Sequence, residues 1–191
     1  MGRSAVLGNH IFFLKEGALI DSVTVASDAK PDDDPTTNWT DYKLGCIQEV
    51  DFSNDASPIS IRCPIDDVGG GVPGGVYQAS DEIPSQQNLE VGFTIGEINP
   101  TVWQAMWLSD TIGPTGPSAA FVPLSASGFM KGWVRLDQYD HNNTHVSRAE
   151  FWASLRLNGS VSIGEDDALR APLVFKVFQN ALNTGSLKSF F

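Results

Sequence analysis

Leu89-Glu90-Val91-Gly92-Phe93-Thr94-Ile95-Gly96-Glu97-Ile98 runs straight into Asn99-Pro100-Thr101-Val102-Trp103-Gln104-Ala105-Met106-Trp107. The change of period between these two stretches decides the fold. Leu89, Val91, Phe93 and Ile95 alternate, which sets them on one face of a strand. From Asn99 the apolar residues fall at Val102, Trp103, Met106 and Trp107, the spacing of one helix face. Asn99 is a residue type that caps a helix N-terminus, and Pro100 suits the first helical position. The passage predicts a strand followed by a short α-helix over about 99–108, the one well-defined helix of the chain.

Everything around it reads as strands and turns. His10 to Lys15 and Leu19 to Val25 are two short strands about a Lys15-Glu16-Gly17 turn, followed by a polar loop from Ser27 to Asn38 that holds Pro31 and Pro35. Trp39 to Ser53 alternates well enough to be one long strand, with Gly45 marking a bulge or a close approach. Ile59 to Cys63 alternates in the same way and is expected to pair back onto it through a hairpin at Asn54-Asp55. In that pairing Cys46 and Cys63, the two cysteines of the chain, would face each other across the ladder, as free thiols in a reducing compartment or as a strained bridge. Later strands are expected over Gly128 to Tyr139, Val146 to Leu157, Val161 to Ile163 and Leu173 to Gln179. The Asn158-Gly159 pair between β-prone runs is a hairpin signal.

The totals fit one domain over 1–191. A chain of 191 residues can close one substantial core, while 18 Gly and 11 Pro spread along its length cut it into short segments. The fold class expected is mostly β, an antiparallel sandwich or partly open barrel with one helix. A formal net charge of −11 argues against a tight grip on nucleic acid, whose affinity comes chiefly from Lys and Arg neutralising phosphates. No stretch has the length of a secretory signal's apolar core or of a membrane span, so a soluble protein made in the cytoplasm is expected.

Three regions point outward. Residues 66–87 carry Gly69-Gly70-Gly71, Pro73-Gly74-Gly75 and Pro84 and read as a long irregular loop, where contact with something outside the domain is expected. Asp66, Asp67, Val72, Val76 and Tyr77 are its contact candidates. The ends, 1–9 and 183–191, read as flexible arms, and Phe190-Phe191 is a candidate for docking on a neighbour.

Chemistry is harder to find. Gly69 to Gly74 satisfies a G-x-G-x-x-G spacing, but Pro73 and Gly75 crowd the helix that a phosphate-binding turn must open. The histidines His10, His141 and His145 stand beside no nucleophile elbow. Glu90, Glu97, Asp137 and Glu150 lie in or near strands and could pair for glycoside hydrolysis, though solvated or structural roles suit such acids in any β-rich chain. Asp140-x-Asn142-x-Thr144 opens like a calcium loop but has His145 where the sixth-position Gly belongs and Phe151 at the twelfth; a polar hairpin turn fits better. No cofactor, metal site or catalytic set is expected, and Trp103, Trp107, Trp133 and Trp152 read as core before they read as a sugar platform.

Trp39-x-x-x-x-Leu44-Gly45 in an early strand, together with the later strand that ends in Glu97 and gives way to a helix at Pro100, with Phe93 inside the strand, resembles the major tail proteins of long-tailed bacteriophages. The resemblance implies a virion protein whose sandwich domain forms hexameric rings stacked into a tail tube. Tape-measure and tail-end proteins would be further partners. It also implies that the genome passes through an acidic lumen without specific binding. The alternative is a carbohydrate-binding β-sandwich module that stays monomeric, and a third reading is a barrel hydrolase working through a carboxylate pair.

Overall fold

The computed structural model describes residues 6–31, 42–47, 50–60, 82–96, 99–109, 122–126, 128–161, 170–179 and 186–189. In chain order the strands are β1 (Val6–Lys15), β2 (Leu19–Ile20), β3 (Val23–Thr24), β4 (Lys43–Ile47), β5 (Asp51–Ser60) and β6 (Glu82–Ile95). Helix α1 (Pro100–Trp107) follows, then β7 (Met130–Asp140), β8 (His145–Leu157), β9 (Ala171–Val177) and β10 (Ser186–Ser189). The main sheet is antiparallel in the order β4-β1-β7-β8-β9-β6-β5, with β10 also on β8. The mostly-β class with one short helix is the one the sequence predicts.

The sheet is rolled rather than flat. β4 and β5 stand at opposite ends of the strand order, yet only residues 48–50 separate them in sequence. Three residues can join two edges only where the roll brings those edges together. Gly45 on β4 accordingly lies against Ile95 of β6, so the strand that leaves β1 at one edge re-enters beside β6 at the other. The result is a partly open barrel, in which Trp39 to Ser53 forms two strands where the alternation predicts one. The hydrophobic pattern carries on through the bend while the hydrogen-bonding partner changes, and periodicity reports only the former.

The inside of the roll holds the main core. Phe175 on β9 packs on Phe13 of β1 and Phe93 of β6, with ring centroids 5.8 and 5.0 Å apart. Val102 and Ala105 of α1 join this core. The helix begins as its residues dictate: the Asn99 side chain accepts a hydrogen bond from the Val102 amide at 2.9 Å, Pro100 opens the helix, and Leu108 ends it in the left-handed conformation. Asn99 Nδ2 also donates to the Leu44 carbonyl at 2.9 Å, which ties the helix start to β4.

A second apolar cluster covers the outer face. Trp133 and Trp152 meet edge to face at 5.6 Å, and Leu14, Ile20 and Val25 close over them. Ile20 and Val25 reach that face because Gly17 takes a φ of 82° and turns the chain off the sheet edge, while Asp21 and Ser22 (φ 46° and 68°) make a tight β2–β3 turn. Residues 19–25 are therefore a small lid on the sheet, not a strand paired to His10–Lys15. Trp133 Nε1 donates to the Ala26 carbonyl at 2.8 Å and pins the lid.

Several further expectations change. β5 runs straight through Asn54 and Asp55, which pair with Leu89 and Asn88 of β6, so no hairpin turns there. The ladder partner of Cys46 is His10, not Cys63, and Cys63 lies outside the described residues. Residues 82–87 of the expected loop are strand. Pro84 is tolerated because it stands opposite Pro58, at the point where the β5–β6 register shifts. The expected arms are also partly strand: β1 starts at Val6 against Asp140, and β10 pairs with Ser147–Glu150 of β8. Both ends find an unpaired backbone edge to satisfy, which composition cannot reveal. Val161 is not in a strand, and 162 and 163, the rest of the strand expected after Asn158-Gly159, lie outside the described residues; β9 pairs with the end of β8, with Leu157 opposite Leu173.

Candidate assembly surfaces

β6 is paired with β5 over Glu82–Gly92 but with β9 only from Glu90 onward. Residues 82–89 therefore form, with β5, a two-stranded ribbon that runs beyond the body of the sheet. Among the described residues no strand pairs with the far edge of β5. A ribbon of two strands is marginal by itself in water, and the outward-facing backbone donors and acceptors of alternate β5 residues are a template for another strand. Where the ribbon leaves the body, Phe52 is 60% and Leu89 40% exposed. Phe52 is in register with buried Val91, so it points to the core side of the sheet with nothing of the core left to cover it. On the opposite face Asp51, Ser53, Glu90, Gly92 and Thr94 line a groove of about 560 Å³, with Arg170 at its rim.

A second apolar surface lies at the end of α1. Trp107, Leu108, Val122 and Leu124 are all exposed, Leu124 by 77%. They are gathered by backbone bonds from the Leu124 amide to the Trp107 carbonyl (3.0 Å) and from the Ala126 amide to the Leu108 carbonyl (2.9 Å).

Of the candidate catalytic carboxylates, Glu150, Asp137 and Glu90 are held by cations. Glu150, 2% exposed, receives Arg135 Nε at 2.9 Å and Lys30. Asp137 is gripped by Arg148 through Nε at 2.6 Å and Nη2 at 3.1 Å, with His145 Nε2 at 3.2 Å. Glu90 pairs with Arg156. Buried ions require such pairing, because an isolated one is expensive to desolvate. Glu97 lies outside the described residues. Tyr139 lies against both His10 and His145, with centroids 4.5 and 5.0 Å away. Burial and the Asp137 charge raise the Tyr139 phenol. Burial and then Lys43 lower the His10 imidazole.

The Asp140 turn has the character of a polar hairpin. One oxygen of Asp140 accepts from the Asn142 and Thr144 amides, both at 2.8 Å, and Asn143 takes the left-handed conformation. Thr144 and Asn142 donating to the carboxylate hold its pKa low.

Of the residues marked by the tail-protein resemblance, Leu44 and Phe93 meet in the main core, Gly45 sits at the seam, and Pro100 opens the helix. Trp39 and Glu97 lie outside the described residues, as do the contact candidates Asp66, Asp67, Val72, Val76, Tyr77, Phe190 and Phe191. Trp133 and Trp152 are buried, as core residues should be, though on the outer face, whereas Trp107, also read as core, is exposed. Sequence reasoning missed Phe52 and Leu89 because alternation assigns a face but not how far along it the core extends. No helix among the described residues is long and apolar enough to cross a membrane.

No family model matches the chain, and no curated protein matches it. Among solved structures it is similar to a chain from the cryo-EM structure of the anti-feeding prophage baseplate, six-fold symmetrised. The identity is 10%, the match covers 99% of this chain and 97% of the other, and the TM-score is 0.48.

Proposed function

We propose that this chain is a structural subunit that assembles with copies of itself, and specifically the tail tube protein of a long-tailed bacteriophage, forming stacked hexameric rings through which DNA is ejected. The observation that carries the reading is the β5–β6 ribbon: a ten-residue strand whose far edge has no partner among the described residues, flanked by the exposed Phe52 and Leu89. Such an edge invites uncontrolled pairing in a monomer and becomes an asset once a neighbour covers it. The strand-to-helix passage through Phe93 and Pro100 supports the tail-protein resemblance. A net charge of −11 suits a conduit whose wall must not hold phosphates. The ion pairs on Glu90, Asp137 and Glu150 favour a structural over a catalytic use of these acids.

In this reading the masses of Asp66 to Tyr77 and of Phe190-Phe191 contact neighbouring subunits, tape-measure and tail-end proteins bind the assembled tube, and the protein resides in the virion. Electron microscopy and sizing of the purified protein test it. Rings or tubes with a six-fold axis are the expected result. A monomer at every concentration, above all one that binds a polysaccharide, overturns it.

A further inference from the structure

His10 stands on the outer face of the sheet where β4 meets β1. Its ladder partners are Cys46 on β4 and Asp137 on β7. The charged and titratable groups around it come from every neighbouring strand. β4 supplies Lys43 and Cys46; β7 supplies Asp137 and Tyr139; β8 supplies His145, while Arg135 and Arg148 act on the adjoining Tyr139. β10 places Lys188 in register with Arg148. Asp137 is the anion opposite His10, but Arg148 already holds both of its oxygens and His145 stands 3.2 Å from one of them. Glu150 is committed to Arg135 and Lys30. A proton on His10 therefore adds a cation beside Lys43 and His145 in a place whose carboxylates are in use. Burial, then Lys43, holds the His10 imidazole below its ordinary 6.5, with Asp137 pulling the other way.

β4 is the strand least able to resist such a charge. It has five residues and, among the described residues, one strand partner, β1, over Asn9–Phe12 with an irregularity between Ile11 and Phe12. Yet it closes the roll: Leu44 enters the core, Gly45 lies on Ile95, and its carbonyls receive the Asn99 side chain.

We propose that His10 is a proton-operated latch on the barrel seam: its protonation next to Lys43 drives β4 away from β1 and opens the contact of Gly45 with Ile95, while β7 and β8 stay paired. A base whose pKa is depressed in the closed form binds its proton more readily once released. The seam is thus secure above pH 6.5 and weakens as pH falls from there through the lowered value of the closed state. This holds whether or not the chain builds a tube.

Amide hydrogen exchange on the full chain at about pH 7.5 and about pH 5 tests the latch, with each rate normalised to the intrinsic rate at that pH. The expected result is a several-fold loss of protection at pH 5 for 43–47 and for Asn9–Phe12, with Trp133–Leu136 unchanged. The loss should vanish in His10→Gln and shrink in Lys43→Gln, the second variant deciding the matter if the first does not fold. No loss at acid pH, the same loss in either variant as in the wild type, or a loss spread evenly over the sheet overturns the proposal.

Discussion

A Cβ placed on Gly45 of β4 would stand 2.6 Å from Cδ1 of Ile95 on β6, closer than side chains tolerate. That proximity is what the roll of the sheet requires, since neither strand hydrogen-bonds the other. Ile95 Cδ1 is the end of a flexible side chain, so Gly45→Ala can be absorbed at about 1 kcal/mol, the mild end of overpacking. Gly132 on β7 is different: its Cβ would strike the Leu14 carbonyl, which is backbone. Gly132→Ala is expected to cost about 3 kcal/mol or more. Urea denaturation of the two variants checks the order, and equal midpoints would refute the seam geometry.

Asn99 does two jobs with one side chain. Its oxygen caps α1 through Val102, and its nitrogen binds the Leu44 carbonyl. Asp caps helices about as well as Asn does, so a cap alone predicts little change in Asn99→Asp. Here Asp sets a carboxylate against a carbonyl, and both Asn99→Asp and Asn99→Ala are expected to lose about 1–2 kcal/mol. A thermal melt in which the Asp variant matches the wild type would dismiss the tie to β4.

Glu150 and Arg135 form a buried pair. Removing one partner leaves the other stranded, so Glu150→Ala should cost about 3–5 kcal/mol. Replacing both, as Arg135→Met with Glu150→Leu, should recover much of that loss in the same denaturation assay. A double variant no more stable than the single one contradicts this account.

The period change at Asn99 made one strand and the helix legible before any coordinates, because both elements are local: alternation, a cap and a proline suffice. The seam was only half legible. Gly45 stood out as a close approach, but the switch of partner between Ile47 and Asp51 depends on the roll of the whole sheet. Nothing in Glu82 to Gln87 announces a strand, as Pro84 breaks the pattern and only Pro58 opposite makes it tolerable. The ionic rows are the least legible. Arg135 and Glu150 lie fifteen residues apart, and their meeting follows from the β7–β8 register, which the turn at Asp140 sets.

Assembly should depend on the ribbon more than on the body. Phe52→Lys combined with Leu89→Lys removes exposed apolar surface at two positions outside both core clusters, so the monomer's melting temperature should shift by less than about 2 °C, in keeping with small surface effects. Sizing should then report a shift from large assemblies to small species. Undiminished assembly would move the interface elsewhere, with the Trp107–Leu124 surface next in line.

At the Asp140 turn, the two amides favour the ionised carboxylate, so its folded pKa lies below the ordinary 3.8. The contribution of this turn is present above 3.8 and is lost as pH falls through the folded value. NMR titration of the side chain should place its midpoint below that of a free aspartate, and Thr144→Pro, which deletes the Thr144 amide donor, should move it upward.

Along one side of β8, Ala153 is opposite Val177 and the Phe178 amide reaches the Trp152 carbonyl; then Ser186 stands opposite Glu150. The polypeptide thus departs at Trp152 and comes back at Glu150, about 7 Å further along the strand. Both anchor points are set by strand pairing. Lengthening the intervening chain would therefore add only about 0.6 kcal/mol for each doubling, which makes this interruption a natural port for grafting a peptide tag or a guest sequence onto the subunit.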